Sequence, residues 1–404
     1  MNLLHTSDWH LGHRLHEQLQ QFEQEKFLEW LIEVIKEQNI DILLVSGDIF
    51  DTGYPSAQSL EMFYGFLARV YKHTDCQHIV MTAGNHDAPG TLNAPNEFVR
   101  NFSIHLVGKA TEDVNDEILE FDINGEKLVV AAVPFLRDRD IRRAIAGENA
   151  EEIETRYKKA LTNHYNAIAN AIEKQYPANN IFVVAMGHLF AVGGQPSESE
   201  HRIYVGGLGD ITASDFPRLF QYVALGHLHR PQTVNGKPHI RYSGSPVALS
   251  FDEAGSPKKV VTIETQNAKL SALNEIEVPV FRSLFTIKGG FESCKQKLEQ
   301  ISNLDLIPEP WAEVLLTDKN LASNIYSEIN NLVQNKKIKV LKVQLRDNEN
   351  IKGLEKLIEE DRKVNDLKPK EIFLKKCEEC EFDLKENPQI ADAFDEILNI
   401  VTES

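Results

Sequence analysis

The stretch Asp41-Ile-Leu-Leu-Val-Ser-Gly-Asp48-Ile-Phe-Asp51 decides the reading of this chain, because a short apolar run ends abruptly on a small residue and a carboxylate. A run this short and rich in branched apolar residues suits a strand covered on both faces. Gly47 lets the backbone turn and come close to whatever Asp48 holds. The same event recurs along the chain. Leu3 to Ser7 runs into Asp8-Trp9-His10, His78 to Gly84 into Asn85-His86-Asp87, Ile181 to Gly187 into His188, and Tyr222 to Gly226 into His227-Leu228-His229. Alone, Asp8 or Asp48 would read as a turn or helix cap. Five strands that each end on hydrogen-bonding or metal-binding side chains, four of them after a glycine, read as one site assembled at a sheet edge.

Between these endings the pattern is helical. Phe22, Phe27, Leu28, Leu31, Ile32 and Ile35 share one face, as do Leu60, Phe63, Tyr64, Leu67, Val70 and Tyr71. Strand, helix, strand, helix, strand is the order of an α/β sheet with its working groups at the carboxyl ends of the strands. Asn124-Gly125 and Asn235-Gly236, each flanked by apolar runs, predict hairpins, so antiparallel strands are added and a single doubly wound sheet is excluded. Glu151 to Tyr176 reads as a long helix. A sandwich of two sheets with helices outside accommodates these elements.

At 404 residues the chain exceeds one ordinary core. We divide it into residues 1–277, which carry the motifs; 278–346, a small α/β unit alternating strand and helix; and 347–404, a charged segment followed by helix. In the last of these Ile390, Ala393, Phe394, Ile397, Leu398 and Val401 form a stripe suited to a partner protein. Hydrophobic residues at 42% and charged residues at 26% describe a globular protein, and no apolar run approaches the roughly 18 residues of a membrane span. With no basic, apolar start at Met1, the expected location is the cytoplasm. Four scattered cysteines agree with a reducing compartment, and Cys377-Glu-Glu-Cys380 is half a zinc site without a second pair. From Asp347 onward 17 acidic face 9 basic residues, so -8 of the net -18 sits in the tail, and overall charge is a weak argument against DNA binding. Arg137, Arg139, Arg142 and Arg143 cluster with Asp138 and Asp140 among them. They read equally as grips on DNA phosphates or as a salt-bridged helix start.

Asp, Asn and His together suit borderline divalent metals such as manganese, iron or zinc, whereas carboxylates alone would favour magnesium or calcium. If Asp8, His10, Asp48, Asn85, His188, His227 and His229 converge on two such ions, only two ligands are anionic, and the site keeps a formal charge of about +2 that attracts phosphate. Asp48, on the strand most central in sequence, is the expected bridge. His86 beside Asn85 is the expected proton donor to the leaving oxygen, with Asp87 orienting its ring and keeping it cationic. Trp9 reads as core packing, and His13 and His16 as solvated loop residues.

Asp8-x-His10, Gly47-Asp48, Gly84-Asn85-His86-Asp87, Gly187-His188 and Gly226-His227-x-His229, in this order, resemble the calcineurin-type metallophosphoesterases. The wording Ser7-Asp-Trp-His-Leu-Gly12, Gly47-Asp-Ile-Phe-Asp-Thr52, Val133-Pro-Phe-Leu-Arg137 and Gly226-His-Leu-His-Arg-Pro231 is similar to one branch, the SbcD family of bacterial DNA repair nucleases. The resemblance implies a four-layer α-β-β-α sandwich with a small α/β cap and a helical C-terminal tail. It also implies one metal on Asp8, His10, Asp48 and His229, and a second on Asp48, Asn85, His188 and His227. The implied activity is manganese-dependent: exonuclease on duplex DNA ends, endonuclease on single strands and hairpins. The implied partner is an SbcC-type coiled-coil ATPase docked on the C-terminal helices, with Leu60 to Tyr71 as a homodimer seam within a heterotetramer. One departure stands out. Archaeal relatives carry a histidine near the position of Asp51 or Thr52, and this chain has none. Two rival functions share or ignore the site: a phosphoesterase of small phosphodiesters or phosphoproteins, and a catalytically silent scaffold for the ATPase.

Overall fold

The run Ile42–Ser46 is a fully buried strand, and its side chains alternate between two environments. Ile42 and Leu44 face a second sheet, while Leu43 and Val45 face helices. That alternation sets up the whole sandwich. The computed structural model describes residues 1–137, 150–177, 180–191, 211–318 and 325–345.

The first sheet is built from β1 (Asn2–Thr6), then, after the short hairpin β2 (Arg14–Leu15) and β3 (Gln18–Leu19) and helix α1 (Gln21–Glu37), from β4 (Ile42–Ser46). Helix α2 (Ala57–His73), β5 (His78–Thr82) and β6 (Ile104–Val107) follow. β1, β4, β5 and β6 run parallel, so their carboxyl ends lie along one edge. α2 starts sharply because Ser56 Oγ accepts the Ser59 N–H at 3.1 Å. α1 and α2 cover the outer face of this sheet with Phe27, Leu31, Ile35, Phe63, Phe66 and Val70.

The second sheet begins with the hairpin β7 (Ile118–Ile123) and β8 (Glu126–Ala132), turned at Asn124-Gly125, both with positive φ. The helix Ala150–Gln175 returns the chain to β9 (Phe182–His188), which pairs parallel with β8 and with β10 (Tyr222–Gly226). The hairpin β11 (Gln232–Val234) and β12 (Lys237–Tyr242) completes it, β12 lying parallel to β10. The strands β13 (Lys258–Gln266) and β14 (Lys269–Val278) then cross back, β13 pairing antiparallel with β1. The orders are therefore β14-β13-β1-β4-β5-β6 and β11-β12-β10-β9-β8-β7. Leu3, Ile42, Leu44 and Val80 of one sheet pack against Leu128, Val130, Phe182, Val184, Met186 and Tyr222 of the other. The helix Ala150–Gln175 covers the far face with Tyr165, Ile168 and Ile172. The result is the four-layer α-β-β-α sandwich.

A separate three-stranded parallel sheet, β15 (Leu284–Gly289), β16 (Trp311–Leu316) and β17 (Lys339–Leu345), packs with the helices Phe291–Ser302 and Ile325–Val333 around its own core of Ile287, Leu298, Val314, Ile329 and Val343. It meets the sandwich where Trp311 packs with Leu15 and Phe251, and where Arg282 stacks over Trp311 at 4.3 Å while pairing with Glu23. The first strand of this unit starts at Leu284, just after Arg282, which is drawn into these contacts. The expected C-terminal helices lie outside the described residues.

Candidate metal centre

Five strand ends place their next residues in one pocket, and the backbone bends sharply to do it. Asp8, His10, Asp48 and His227 all have positive φ, at 53°, 45°, 48° and 105°. Each such non-glycine residue costs about 1–3 kcal/mol and persists only where its surroundings over-determine it. Here they do. The Asp8 N–H donates to Gly47 O at 3.0 Å, His10 N–H to Asp48 O at 3.0 Å, and His227 N–H to Asp8 Oδ1 at 2.9 Å. Gly226 is equally constrained. A Cβ there would meet Ser46 O at 1.8 Å, so the ends of β4 and β10 touch only because it has none.

Ligand-type atoms of Asp8, His10 and His229 lie within 4.8 Å of one another, as do those of His10, Asp48 and His86, and those of Asp8, Asp48 and His188. Asn85 Oδ1 sits 3.0 Å from His188 Nε2 and 3.1 Å from His227 Nδ1, which joins the remaining two residues to the cluster. All seven residues singled out from the sequence are therefore brought together. Asp48 is the centre: its Oδ2 lies 3.5 Å from His10 Nε2 and 3.2 Å from His188 Nε2, and its Oδ1 accepts the His86 N–H at 2.9 Å.

Two observations fit a cation. His10 Nε2 is buried with no hydrogen-bond partner, although its ring faces three carboxylate or imidazole neighbours. His188 donates Nδ1–H to Ser46 O at 2.9 Å, which aims Nε2 at Asp48 and Asn85. The electrostatics of the pocket shift several of these groups. Burial favours a neutral His188, but Asp48, Asp8 and the Ser46 carbonyl outweigh it and push the ring up to about 9. Asp48 is held well below the usual carboxylate range: burial opposes this, and the imidazoles of His188 and His10 overcome it. Burial and the His188 cation push His227 down to about 3, and burial lowers His10. Such perturbed groups clustered in one pocket mark a working site.

Residues 1–231, more than half of the chain, match the calcineurin-like phosphoesterase model, and residues 280–381 match a model described as the type 5 capsule protein repressor C-terminal domain. The chain is 34% identical over 344 residues to the SbcD subunit of nuclease SbcCD from Escherichia coli (strain K12), covering 85% of each. It belongs to the SbcD family. A second relative, the SbcD subunit of the Bacillus subtilis (strain 168) nuclease, is 34% identical over 281 residues, 68% of this chain and 69% of that one.

Within this SbcD-family site two sequence expectations need correction. Asp87 does not orient His86. Its carboxylate accepts the backbone N–H groups of Gly84 at 2.8 Å, Phe50 at 3.0 Å and Ile49 at 3.1 Å, and so ties the β4 and β5 loops together. Burial and the Asp48 charge push it up to about 6. His86 is oriented instead by Asp51, whose backbone O accepts from Nδ1 at 2.8 Å. Nor is His13 a solvated loop residue: its Nδ1 lies 2.7 Å from Asp51 Oδ1 and its Nε2 3.1 Å from Leu249 O. His16, by contrast, is exposed and stacks on Phe251. Trp9 is core, wedged edge-on between Phe27 and Phe66. Arg137 donates to Asp87 O at 2.9 Å, behind the His86 loop; Arg139, Arg142 and Arg143 lie outside the described residues.

Sequence reading missed the groups behind the ligands. Glu253, almost fully buried, approaches His229 Nδ1 at 3.6 Å and pairs with Lys258, whose Nζ also donates to His229 O at 3.1 Å. Ser7 links Asp8 to Ser243. Only Asp51 had a signal, three residues after Asp48 in the same motif.

Proposed function

We propose that this chain is the nuclease subunit of an ATP-driven DNA end-processing complex and that it hydrolyses DNA phosphodiesters in the cytoplasm with two divalent metals, manganese foremost. It acts as an exonuclease on duplex ends and an endonuclease on single strands and hairpins, in DNA repair and recombination. The observation that carries the proposal is the meeting of Asp8, His10, Asp48 and His188 around buried, metal-ready nitrogens, in a chain that matches the SbcD subunit of a nuclease along 85% of its length.

On this reading Asp8, His10, Asp48 and His229 hold one cation, and Asp48, Asn85, His188 and His227 the other. When bound, such a pair polarises phosphoryl oxygens and makes hydroxide available at neutral pH. The mixed nitrogen and oxygen donor set favours manganese over magnesium or calcium. His86, whose Nδ1–H is engaged by Asp51 O, presents its other nitrogen to exchange a proton with the leaving oxygen. Arg137, with Arg139, Arg142 and Arg143, grips phosphates along the strand.

We assign residues 1–277 to hydrolysis, 278–346 to a cap that selects DNA, and 347–404 to docking on an SbcC-type coiled-coil ATPase. The second family match, over residues 280–381, supports a boundary near 278. Half-buried and exposed aromatics on α2 and just beyond, Tyr64, Tyr71 and Phe98, support a homodimer seam. The test is cleavage of hairpin DNA and of a small chromogenic diester by the purified protein with manganese. DNA cleavage that vanishes in Asp48→Ala, with ATPase binding kept, supports the reading; rapid turnover of the diester with intact DNA, or cleavage untouched by Asp48→Ala, refutes it.

A further inference from the structure

We propose that the cavity where the sandwich meets the three-stranded unit is a binding site for a small organic cation, an ammonium or amidinium group carried on an apolar body. Nothing in this proposal depends on the nuclease reading.

The cavity has a volume of about 390 Å³, within the range of small-molecule sites. Val247 and Ala248, from the loop after β12, and Val280 and Phe281, from the link between β14 and β15, give it apolar lining for the body of a ligand. Gln20 and Glu23, at the start of α1, give it polar lining, and they lie three residues apart, one turn of helix. The lining thus comes both from the sandwich and from the segment that leads into β15, so an occupant is held by the two together.

The charge of the ligand follows from which polar atoms are already engaged. Lys258 Nζ donates to His229 O at 3.1 Å, to Ser245 Oγ at 2.8 Å and to Glu253 Oε2 at 2.5 Å, which uses all three of its protons. Arg282 pairs with Glu23 Oε1, donates to Glu309 O at 2.7 Å and lies over the Trp311 ring. The cations at the cavity are therefore occupied, and the acceptors are not. Gln20 and Glu23 are 1% and 3% exposed, yet Gln20 Oε1 and Glu23 Oε2 have no hydrogen-bond partner. The Gln20 amide is fixed in that orientation because its Nε2 donates to Ala248 O at 2.9 Å. The positive end of α1, which would otherwise draw an anion, already has Glu23 in its first turn. Glu277, exposed at the same cavity, adds a further negative charge. A buried acceptor without a donor is costly, and ligand N–H groups that reach these two oxygens remove that cost. An amidinium, planar and carrying several N–H groups, suits a carboxylate oxygen with an amide oxygen one turn away.

The test titrates benzamidine, a cation at neutral pH, into the full chain by calorimetry, with benzoate as the anion of the same ring and thermal unfolding as a second readout. Manganese is present throughout, which keeps the probe from the carboxylates of the metal pocket. Benzamidine should bind once per chain with a Kd of about 1 mM or tighter and raise the Tm, whereas benzoate should do neither. Glu23→Gln should weaken binding about tenfold or more and Gln20→Leu by less, while Ala248→Phe, which fills the cavity, should abolish it. Should Glu23→Gln fail to fold for want of its pair with Arg282, Gln20→Leu and Ala248→Phe carry the comparison. No saturable binding of benzamidine overturns the proposal, as does benzoate bound equally tightly. Benzamidine binding that is unchanged in Ala248→Phe also overturns it, because the probe then sits elsewhere.

Discussion

Metal uptake by this pocket should expel a proton, and the pH at which it does so follows from one residue pair. In the metal-free chain His188 is pushed up to about 9 because Asp48 Oδ2, 3.2 Å away, and Asp8 outweigh the effect of burial. A ring nitrogen cannot hold a proton and a metal together, so binding at His188 Nε2 must first deprotonate it. At pH 7 that is a deficit of about two pH units, roughly a hundredfold in apparent affinity or about 2.7 kcal/mol. Burial holds His10 and His227 below their ordinary values, His227 at about 3, and Asp48 stays ionised, so none of these three contributes a proton near neutrality. Apparent manganese affinity should therefore rise at least about tenfold per pH unit from near 6.5 to 9, with one proton released from His188 per metal pair in addition to any that metal-bound water gives up in forming hydroxide. The linked stability has the opposite sign in the metal-free chain. A raised histidine stabilises the fold fully below its unfolded value near 6.5, and that contribution fades as pH rises through about 9. The gap in Tm between metal-loaded and chelated protein should thus widen with pH across this window. Calorimetric titration of chelator-stripped protein at pH 6.5, 7.5 and 8.5, in buffers of different ionisation enthalpy, counts the protons directly. A pH-independent affinity with no proton release would show that His188 is either neutral or not displaced, and the reasoning would fail.

Gly226→Ala should cost activity at least about 100-fold, because a Cβ 1.8 Å from Ser46 O and 2.9 Å from His188 Nδ1 must push apart the strand ends that carry Asp48, His188 and His227. Wild-type turnover in this variant would mean that the two sheets need not touch there. Asp87→Asn should destabilise the protein by about 2 kcal/mol, since an amide NH2 replaces an acceptor of the Ile49, Phe50 and Gly84 N–H groups and leaves a buried donor unpaired. Thermal unfolding that matches wild type would contradict the scaffold role given to Asp87.

The parts of this molecule legible in its sequence are those dictated by local periodicity. Ile42–Ser46 reads as buried on both faces because it is; α1 and α2 show their inward stripes, and Asn124-Gly125 announces its hairpin. The site ligands were legible because each follows a strand end. The partition of strands was less so: β12 and β13 are both plainly extended, but only pairing places β12 beside β10 and β13 beside β1. Asp87 misled for a physical reason. Consecutive residues in a tight loop point in different directions, and this carboxylate turns inward to the backbone while His86 turns to Asp51. Glu253 carries no local signal at all, since its relation to His229 exists only after the chain between them has folded.

The ligands are divided between the two sheets. The first sheet supplies both carboxylates, Asp8 and Asp48, together with His10 and Asn85, whereas the second supplies imidazoles alone, His188, His227 and His229. Neither half is a competent site by itself: one gathers negative charge, the other only neutral or cationic rings. On the proposed reading a metal pair is the cross-link between them. Across the same seam Asp48 Oδ2 lies 3.2 Å from His188 Nε2, Ser46 Oγ donates to Ala224 O and His188 Nδ1 donates to Ser46 O. The strained corners at Asp8, His10, Asp48 and His227 are held by backbone hydrogen bonds and by the His227 N–H to Asp8 contact. A pocket preorganised in this way binds its cations without refolding. Its affinity is then set by a proton, and a change of acidity reaches the chemistry before it reaches the fold.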